Sequence, residues 1–317
     1  MLLDIIIIFL GFVGLIWGAD KFVYGSSALA RNLGVSPLVI GLTIVAFGTS
    51  APEIFSSAVA ALENEPELAI GNALGSNIFN VGIALGVATA IRPLTPPASV
   101  TQRELPAMMF VIVLTGLLLA NFTLGIIDAL LLITVIVYFS WYLLTRKPES
   151  PALEDLDVDE IDSVSSLRAA GWLLFGLLLL IISAEALVDA STSVARSLGV
   201  SSAIIGLTLV ALGTSLPELA STVACALRGH HDLAIGNIVG SNILNLLAVL
   251  PFPGLISPAA FDPSLLYRDY VTMLVLSLLL TIMCFLAVRR GTSIGRGSGI
   301  FLILVYVAWV GIMYWQL

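Results

Sequence analysis

The sequence predicts an all-α polytopic membrane protein with ten transmembrane helices, arranged as two inverted five-helix repeats. The 317 residues are 59% hydrophobic and 11% charged, and their mean hydropathy is +1.08. A soluble domain needs more charge than this to cover its surface. Long apolar runs alternate with short polar breaks, as expected of a chain that crosses a bilayer many times. A third observation, an internal repeat, sets the arrangement of the helices.

Ten apolar segments are predicted to span the membrane. They cover residues 3–30, 37–62, 69–91, 105–122, 125–145, 168–195, 201–227, 233–256, 269–288 and 297–316. The fourth and fifth are separated only by a short turn between Asn121 and Gly125. The first run, MLLDIIIIFLGFVGLIW, has no basic residue before it, so we expect a membrane helix rather than a cleavable signal peptide.

The two halves of the chain repeat each other at an offset of 165 residues. The sequence GLTIVAFGTSAPE at 41–53 returns as GLTLVALGTSLPE at 206–218, and LAIGNALGSNIFN at 68–80 returns as LAIGNIVGSNILN at 233–245. Each repeat holds five helices, and because five is odd, the second must enter the membrane in the opposite direction. Inverted repeats are an architecture of secondary transporters, with the substrate site near the midplane. We therefore divide the chain into a first repeat (1–145), a linker (146–167) and a second repeat (168–317).

The basic residues predict the orientation. With the N-terminus outside, ten of the 13 Lys and Arg residues fall in loops on one side: Arg31, Arg92, Arg103, Arg146, Lys147, Arg168, Arg228, Arg289, Arg290 and Arg296. Only Arg196 and Arg268 fall in loops on the other side. The positive-inside rule then places both termini outside and the linker in the cytoplasm. The basic residues are too scattered to form a patch for nucleic acid.

The linker is the acidic part of the chain. Seven acids lie in it, and they nearly account for the net charge of −8: Glu149, Glu154, Asp155, Asp157, Asp159, Glu160 and Asp162. We interpret it as a solvated tether between the repeats. Regulatory calcium binding is the alternative, but neither EF-hand spacing nor a turn-forming glycine is present.

Both copies of the first motif place polar groups where the hydrocarbon is thickest. Pro52 has no N–H and therefore frees a carbonyl near Gly48, and Pro217 does the same near Gly213. A carboxylate in such a place marks a functional site by default. At i, i+3, i+4 and i+7 on one helical face lie Ala46, Thr49, Ser50 and Glu53, and the second repeat places Ala211, Thr214, Ser215 and Glu218 in the same way.

A second polar stripe follows in the next helix of each repeat. Its members are spaced by four residues: Asn72, Ser76 and Asn80, then Asn237, Ser241 and Asn245. Neighbouring glycines allow close approach of other helices. These side chains either bind an ion or join helices by hydrogen bonds. For Asn72 and Asn237 the two interpretations are equally supported, whereas the duplicated glutamates have no obvious structural use.

The candidate ligands are all oxygen atoms. No Cys or His lies on these faces, which argues against zinc, copper or iron. Calcium takes about 6–8 oxygens in flexible geometry, whereas magnesium demands a strict octahedron. Cys225 and Cys284 lie in apolar segments and indicate neither a disulfide nor a metal–thiolate site. We expect Ca²⁺ as a transported ion, no cofactor and no obligate protein partner.

The paired motifs GTSAPE and GTSLPE, each followed by GNxxGSNIxN, resemble the alpha repeats of the calcium:cation antiporter superfamily. The resemblance covers essentially the whole chain, includes YRDYVTML at 267–274, and is greatest to the bacterial inner-membrane calcium/sodium antiporters. It implies that Glu53 and Glu218 bind Ca²⁺ together with the carbonyls of Thr49 and Thr214. It also implies Na⁺ sites that add the positions of Ala46, Ser50, Ser76, Ala211, Ser215 and Ser241, and a gate formed by segments 3–30 and 168–195.

One departure from the family concerns Asn80 and Asn245. Some members carry an aspartate at one of these positions, so this chain holds two core carboxylates rather than three. Both asparagines remain candidate ligands, and the coupling stoichiometry stays open. Asp20 and Glu185, at matching points of the gate segments, serve either in gating or as interfacial acids; Lys21 is available to Asp20.

The sequence favours exchange of Ca²⁺ for Na⁺ across the membrane. The alternative within the superfamily is a Ca²⁺/H⁺ antiporter, because buried glutamates can carry protons. A membrane enzyme would need a Ser–His or Asp–Asp arrangement; His230 and His231 lie in a loop and Asp128 is isolated. A channel suits inverted halves around a carboxylate pair less well than alternating access does.

Overall fold

The computed structural model describes residues 2–145, 164–198 and 213–316. Within these ranges the chain is almost entirely helical. The helices are α1 (Leu2–Leu33), α2 (Pro37–Thr49), α3 (Ala51–Leu62), α4 (Pro66–Ile91), α5 (Val100–Leu119), α6 (Ile126–Thr145), α7 (Ser166–Ser197), α8 (Leu216–Leu227), α9 (His231–Ile256), α10 (Leu265–Arg290) and α11 (Arg296–Gln316). Two short strands, β1 (Thr123–Leu124) and β2 (Ala259–Ala260), pair antiparallel with Thr123 opposite Ala260.

The protein is a polytopic membrane protein. In the described part of the chain, eight helices are long and apolar enough to cross a bilayer alone, and α2 with α3 forms a ninth span bent by 44°. Peripheral helices expose large apolar side chains such as Ile127, Trp141 and Phe55, as lipid-facing surfaces do. Of the predicted segment 201–227, only the part from Gly213 is described, and most of the linker, residues 146–163, also lies outside the described residues.

The centre of the bundle is made by α4 and α9, the two helices that carry the GNxxGSN motifs. In their most apolar stretches 72% and 89% of the residues are buried, against 17% in α6 and α11. A helix that is buried on all sides can present polar side chains to a neighbour without exposing them to lipid.

Two helices begin four or five residues earlier than predicted. The fourth predicted span starts at Val100 rather than 105, and the ninth at Leu265 rather than 269. Both extensions are π-helical turns over sequences with charged residues, VTQRE and LLYRDY. In the second, Arg268 Nε donates to Asp269 Oδ1 at 2.7 Å and Trp309 Nε1 donates to the same oxygen at 2.9 Å. Local charge pairing thus lets a polar sequence continue a helix that hydropathy alone would end.

The two halves share local distortions as well as sequence. Ser50 interrupts the helix between α2 and α3 with φ −81° and ψ 3°, and Ser215 precedes α8 with φ −93° and ψ 5°. A π-helical segment over Asn80–Leu85 in α4 has its counterpart over Asn245–Val249 in α9. Such segments are rare and occur frequently at functional sites.

The two 32-residue helices α1 and α7 pack tightly along each other. A Cβ atom on Gly176 would lie 2.3 Å from the backbone nitrogen of Phe22, and one on Gly25 would lie 2.4 Å from that of Leu173. Only glycine allows this approach of the two backbones. In addition, α7 contacts the central bundle through Leu177, beside Gly48, and Val188, beside Gly213.

Candidate cation site

The site is built around two helices that begin in the interior of the bundle. Pro52 and Pro217 lie in the first turns of α3 and α8, where the missing N–H has no intrahelical acceptor to lose. Glu53 and Glu218 follow directly and are completely buried. The first turn of a helix favours a negative charge, because the backbone N–H groups there point their positive ends outward. Both helix starts therefore stabilise an ionised carboxylate in the apolar interior, where burial would otherwise disfavour the charge.

Each glutamate accepts a hydrogen bond from the serine of the other repeat. Ser215 Oγ donates to Glu53 Oε1 at 2.8 Å, and Ser50 Oγ donates to Glu218 Oε1 at 3.1 Å. Ser76 Oγ lies 3.5 Å from the same oxygen of Glu53 and 3.2 Å from Ser215 Oγ. Two carboxylates and three hydroxyls, all buried, thus form two hydrogen-bonded groups, one around Glu53 and one around Glu218.

The second oxygen of each carboxylate has no partner within the described ranges. Oε2 of Glu53 and Oε2 of Glu218 are buried without a hydrogen bond, and neither side chain forms an ion pair with a described basic residue. An unpaired buried charge is strongly destabilising, so this arrangement suits a bound cation. Among the same residues no group of three or more His, Cys, Asp or Glu could hold a metal. A cation bound there would take its other ligands from neutral oxygens.

The threonine of the first motif is held by an asparagine of the second repeat. Thr49 Oγ1 donates to Asn237 Oδ1 at 3.2 Å, and Asn237 Nδ2 donates to Ser221 Oγ and Thr222 Oγ1, both at 3.0 Å. All four residues are completely buried. The sequence left the role of Asn237 open. In the structure Asn237 joins α2, through Thr49, to α8, through Ser221 and Thr222.

Asn72, at the matching position of the first repeat, makes one equivalent contact and one different contact. Its Nδ2 donates to Ser57 Oγ, the counterpart of Thr222, at 2.9 Å, and to the backbone carbonyl of Glu53 at 3.2 Å. Thr214, the counterpart of Thr49, has a buried hydroxyl with no partner in the part of the chain that the structure describes. Among the described residues, the two half-sites are thus similar in residue type and differ in the partner of the motif threonine.

The remaining predicted ligands lie in the same region without direct bonds to the glutamates. Ser241 Oγ and both polar atoms of Asn245 are buried and have no hydrogen-bond partner among the described residues. Asn80 Nδ2 donates to Asn242 Oδ1 at 3.2 Å. Ala46 packs on α9, where a Cβ atom on Gly240 would lie 2.7 Å from the Cβ atom of Ala46. Ala211 lies outside the described residues.

Sequence reasoning missed a pair of asparagines in the centre of the bundle. Asn77 Nδ2 donates to the backbone carbonyl of Asn242 at 3.1 Å and so joins α4 to α9. The two residues occupy matching positions in the GSN motifs. That duplication was a usable signal, but both lie off the stripe of every fourth residue.

A membrane-embedded helical bundle that buries two carboxylates among hydroxyl and amide groups belongs to the class of ion transporters. The model of the sodium/calcium exchanger protein family matches residues 3–145 and 168–315, and the chain belongs to this family. It is 36% identical over 323 residues to the inner membrane protein YrbG of Escherichia coli (strain K12), covering 99% of this chain and 98% of YrbG.

Two further similarities agree with the family assignment. The chain is 32% identical over 349 residues to the sodium/calcium exchanger MaX1 of Methanosarcina acetivorans, covering 98% of this chain and 99% of MaX1. The solved structure of the sodium-calcium exchanger NCX_Mj matches with a TM-score of 0.85 and 29% identity over 98% of both chains. The protein is therefore a membrane transporter that exchanges Ca²⁺.

Proposed function

We propose that the protein exchanges Ca²⁺ for Na⁺ by alternating access to a midplane site between Glu53 and Glu218. The observation that carries the proposal is the pair of buried carboxylates, each bonded by the serine of the other repeat and each with one oxygen that has no partner among the described residues. One Ca²⁺ or two Na⁺ cancels two negative charges. The two kinds of ion can therefore use the same place in turn, which is the requirement for antiport.

The proposed ligands differ between the two ions. For Ca²⁺ they are the two glutamates and the backbone carbonyls of Thr49 and Thr214, with about 6–8 oxygens in total once water is included. For Na⁺ they are the same glutamates with oxygens at or near Ala46, Ser50, Ser76, Asn80, Ala211, Ser215, Ser241 and Asn245. The buried hydroxyl and amide oxygens described above support this set.

We also propose ten helices in two inverted five-helix repeats, residues 1–145 and 168–317, joined by the cytoplasmic linker 146–167 with both termini outside. The matching helix breaks at Ser50 and Ser215 support the repeat. The family match stops at residue 145 and resumes at 168, which supports the linker. The likeness to YrbG, named an inner membrane protein, supports an inner membrane location.

A Ca²⁺/H⁺ antiporter is the second candidate. The Oε2 atoms of Glu53 and Glu218, which have no partner in the described part of the chain, favour it, because a proton on such an oxygen also removes an uncompensated buried charge. In that case a pH gradient would replace the Na⁺ gradient as the driving force.

Uptake of ⁴⁵Ca²⁺ into proteoliposomes distinguishes these candidates. Purified protein is reconstituted, and a Na⁺, H⁺ or K⁺ gradient is imposed in turn under otherwise identical conditions. We expect uptake to require Na⁺ inside and to stop when external Na⁺ equals internal Na⁺. Uptake driven by the pH gradient alone would show that H⁺, and not Na⁺, is the counter-ion. Flux that follows the Ca²⁺ gradient without any counter-ion would indicate a channel.

A further inference from the structure

We infer that Asn237 is a positioning residue for Ca²⁺ transport: it holds the Thr49 hydroxyl so that the backbone carbonyl of Thr49 stays directed to the cation. The inference rests on the proposed function, in which that carbonyl is a ligand. It adds a residue that does not itself touch the ion and assigns it a measurable effect on affinity.

The argument starts from what a threonine hydroxyl does in a helix. The hydroxyl normally donates to the backbone carbonyl three or four residues earlier in the same helix, and it is then not available to a neighbouring helix. In Thr49 that contact, to the carbonyl of Ala46, is long at 3.4 Å, whereas Asn237 Oδ1 accepts the hydroxyl at 3.2 Å. Thr49 is also the last residue before the break at Ser50, where the backbone leaves helical geometry. A hydrogen bond from its side chain to a neighbouring helix can therefore fix the conformation of this turn.

Asn237 is itself held firmly enough to serve as that neighbour. Its Nδ2 donates to two hydroxyls of α8, Ser221 and Thr222, and the Ser221 hydroxyl donates to the backbone carbonyl of Glu218 at 3.1 Å. A chain of hydrogen bonds thus runs from Thr49 through Asn237 and Ser221 to the backbone of Glu218. The two sides of the cation site are connected without passing through the ion.

The other repeat provides an internal comparison. The Thr214 hydroxyl has no partner among the described residues, and Asn72 bonds to the Glu53 backbone and to Ser57. Within the described residues, a hydrogen bond to the facing asparagine therefore fixes the Thr49 hydroxyl, and no such bond fixes the Thr214 hydroxyl. A coupling between threonine and asparagine should therefore be measurable at one side and absent at the other.

A double-mutant cycle on Thr49→Val and Asn237→Ala tests the inference, with the KM for Ca²⁺ and the maximal rate measured in proteoliposomes. Thr49→Val should raise the KM about fivefold, the effect expected from one hydrogen bond between uncharged groups, and change the maximal rate less. Asn237→Ala should raise the KM at least as much, because it also removes the bonds to Ser221 and Thr222. The double variant should show no more than Asn237→Ala alone, because the bond to Thr49 is already lost in that variant. Thr49→Ser, which keeps the hydroxyl, should retain a KM near that of the wild type.

The matched control is the cycle on Thr214→Val and Asn72→Ala, whose effects should multiply. Multiplying effects in the Thr49–Asn237 cycle would overturn the inference, because the hydroxyl would then act on the ion directly or not at all. An equal defect in Thr49→Ser and Thr49→Val would overturn it too. If wild-type vesicles show no Na⁺-driven uptake, the proposed counter-ion is wrong. The same cycles measured as Ca²⁺ binding to purified protein still decide the role of Asn237.

Discussion

Ser215 and Glu53 belong to different halves of the chain, yet the Ser215 hydroxyl donates a 2.8 Å hydrogen bond to Oε1 of Glu53. Ser50 and Glu218 repeat the relationship at 3.1 Å. Each serine lies at the helix break that immediately precedes its own repeat's glutamate. A shift of one break relative to the other therefore alters both carboxylates at once. Each carboxylate is thus held by a serine of the other repeat, so a relative movement of the two repeats changes the environment of both carboxylates.

The first prediction concerns the two carboxylates. Glu53→Gln and Glu218→Gln should each lower Ca²⁺ affinity by about a hundredfold or more, because removing one partner of a buried charge pair costs about 3–5 kcal/mol. Without Ca²⁺ the same variants should unfold at a higher temperature than the wild type, because each removes an uncompensated buried charge. Thermal unfolding with Ca²⁺ and with a chelator measures both effects.

Glu63→Gln is the matched control for these variants. Glu63 ends the same helix region and is exposed, so its removal should leave both the Ca²⁺-induced stabilisation and the transport rate as in the wild type. Bound ion stabilises the folded state in proportion to the logarithm of its concentration over Kd. A wild-type-sized Ca²⁺ shift in either buried Gln variant would contradict the site assignment.

The second prediction concerns the contact between α7 and the motif glycines. A Cβ on Gly213 would lie 2.2 Å from Cγ2 of Val188, and one on Gly48 would lie 3.0 Å from Cδ2 of Leu177. The end of a leucine side chain can move aside, whereas a valine is restricted at χ1. Gly213→Ala should therefore impair transport more than Gly48→Ala, as measured by initial rates of ⁴⁵Ca²⁺ uptake.

A second substitution separates this steric effect from damage to the site. Val188→Ala removes the clashing methyl groups, so it should restore transport in the Gly213→Ala background. It should not restore transport in Glu218→Gln. Failure of the rescue would mean that Gly213 is required for a reason other than its contact with α7.

The third prediction concerns the ion pair between Asp20 of α1 and Arg228, which directly follows α8. Arg228 Nε donates to Asp20 Oδ1 at 2.8 Å, the Nη2 atom of the same guanidinium contacts the same oxygen, and Lys21 Nζ lies 3.4 Å from Oδ2. The counterparts of Asp20 and Arg228 in the repeat are Glu185 and Glu63, two acids that cannot form such a pair. The ion pair should therefore favour the arrangement of helices observed here over the opposite one.

Neutralising either partner should shift the ratio of Ca²⁺ KM values measured from the two sides of the membrane. Partly exposed ion pairs contribute about 0.2–1 kcal/mol, so the shift should be no more than about fivefold. The double variant should give no larger shift than Asp20→Asn alone, since that variant already lacks the pair with Arg228. Additive shifts would show that the two residues act separately.

Much of the architecture was predictable from the sequence because it depends on composition and periodicity. The apolar segments and the offset of 165 residues located the helix breaks and both glutamates. Hydropathy missed the helix starts at Val100 and Leu265, where the first turns contain charged residues. At Leu265 the local pairing of Arg268 with Asp269 extends the helix beyond its apolar part. A hydropathy profile contains no information on such pairing.

The site was predictable in its residue types and less so in its bonds. Spacing by four placed Asn72 and Asn237 on equivalent stripes, yet their partners differ, since Asn237 reaches Thr49 and Asn72 reaches the Glu53 backbone. The relative position of two helices decides such contacts, and periodicity within one helix does not. For the same reason Asn77 and Asn242 were missed, although they join α4 to α9.

The fourth prediction concerns the charge carried in each transport cycle. With Asn80 and Asn245 neutral, the carboxylate charge of the core is −2, which one Ca²⁺ or two Na⁺ cancels. A third Na⁺ would leave a positive charge uncancelled among helices, which is unfavourable although carbonyl and amide oxygens offset part of it. We therefore expect wild-type exchange to depend weakly on membrane potential.

Asn245→Asp should add a third charge and favour a third Na⁺, with Asn80→Asp as the matched variant from the other repeat. The measurement is Ca²⁺ uptake into Na⁺-loaded vesicles with the potential clamped by K⁺ and valinomycin. Moving one charge through 100 mV is worth about 2.3 kcal/mol, so an electrogenic variant should respond clearly. Inside-positive potential should accelerate Asn245→Asp and leave the wild type nearly unchanged. Strong acceleration of the wild type would show net positive charge leaving with Na⁺, and two Na⁺ per Ca²⁺ would then be wrong.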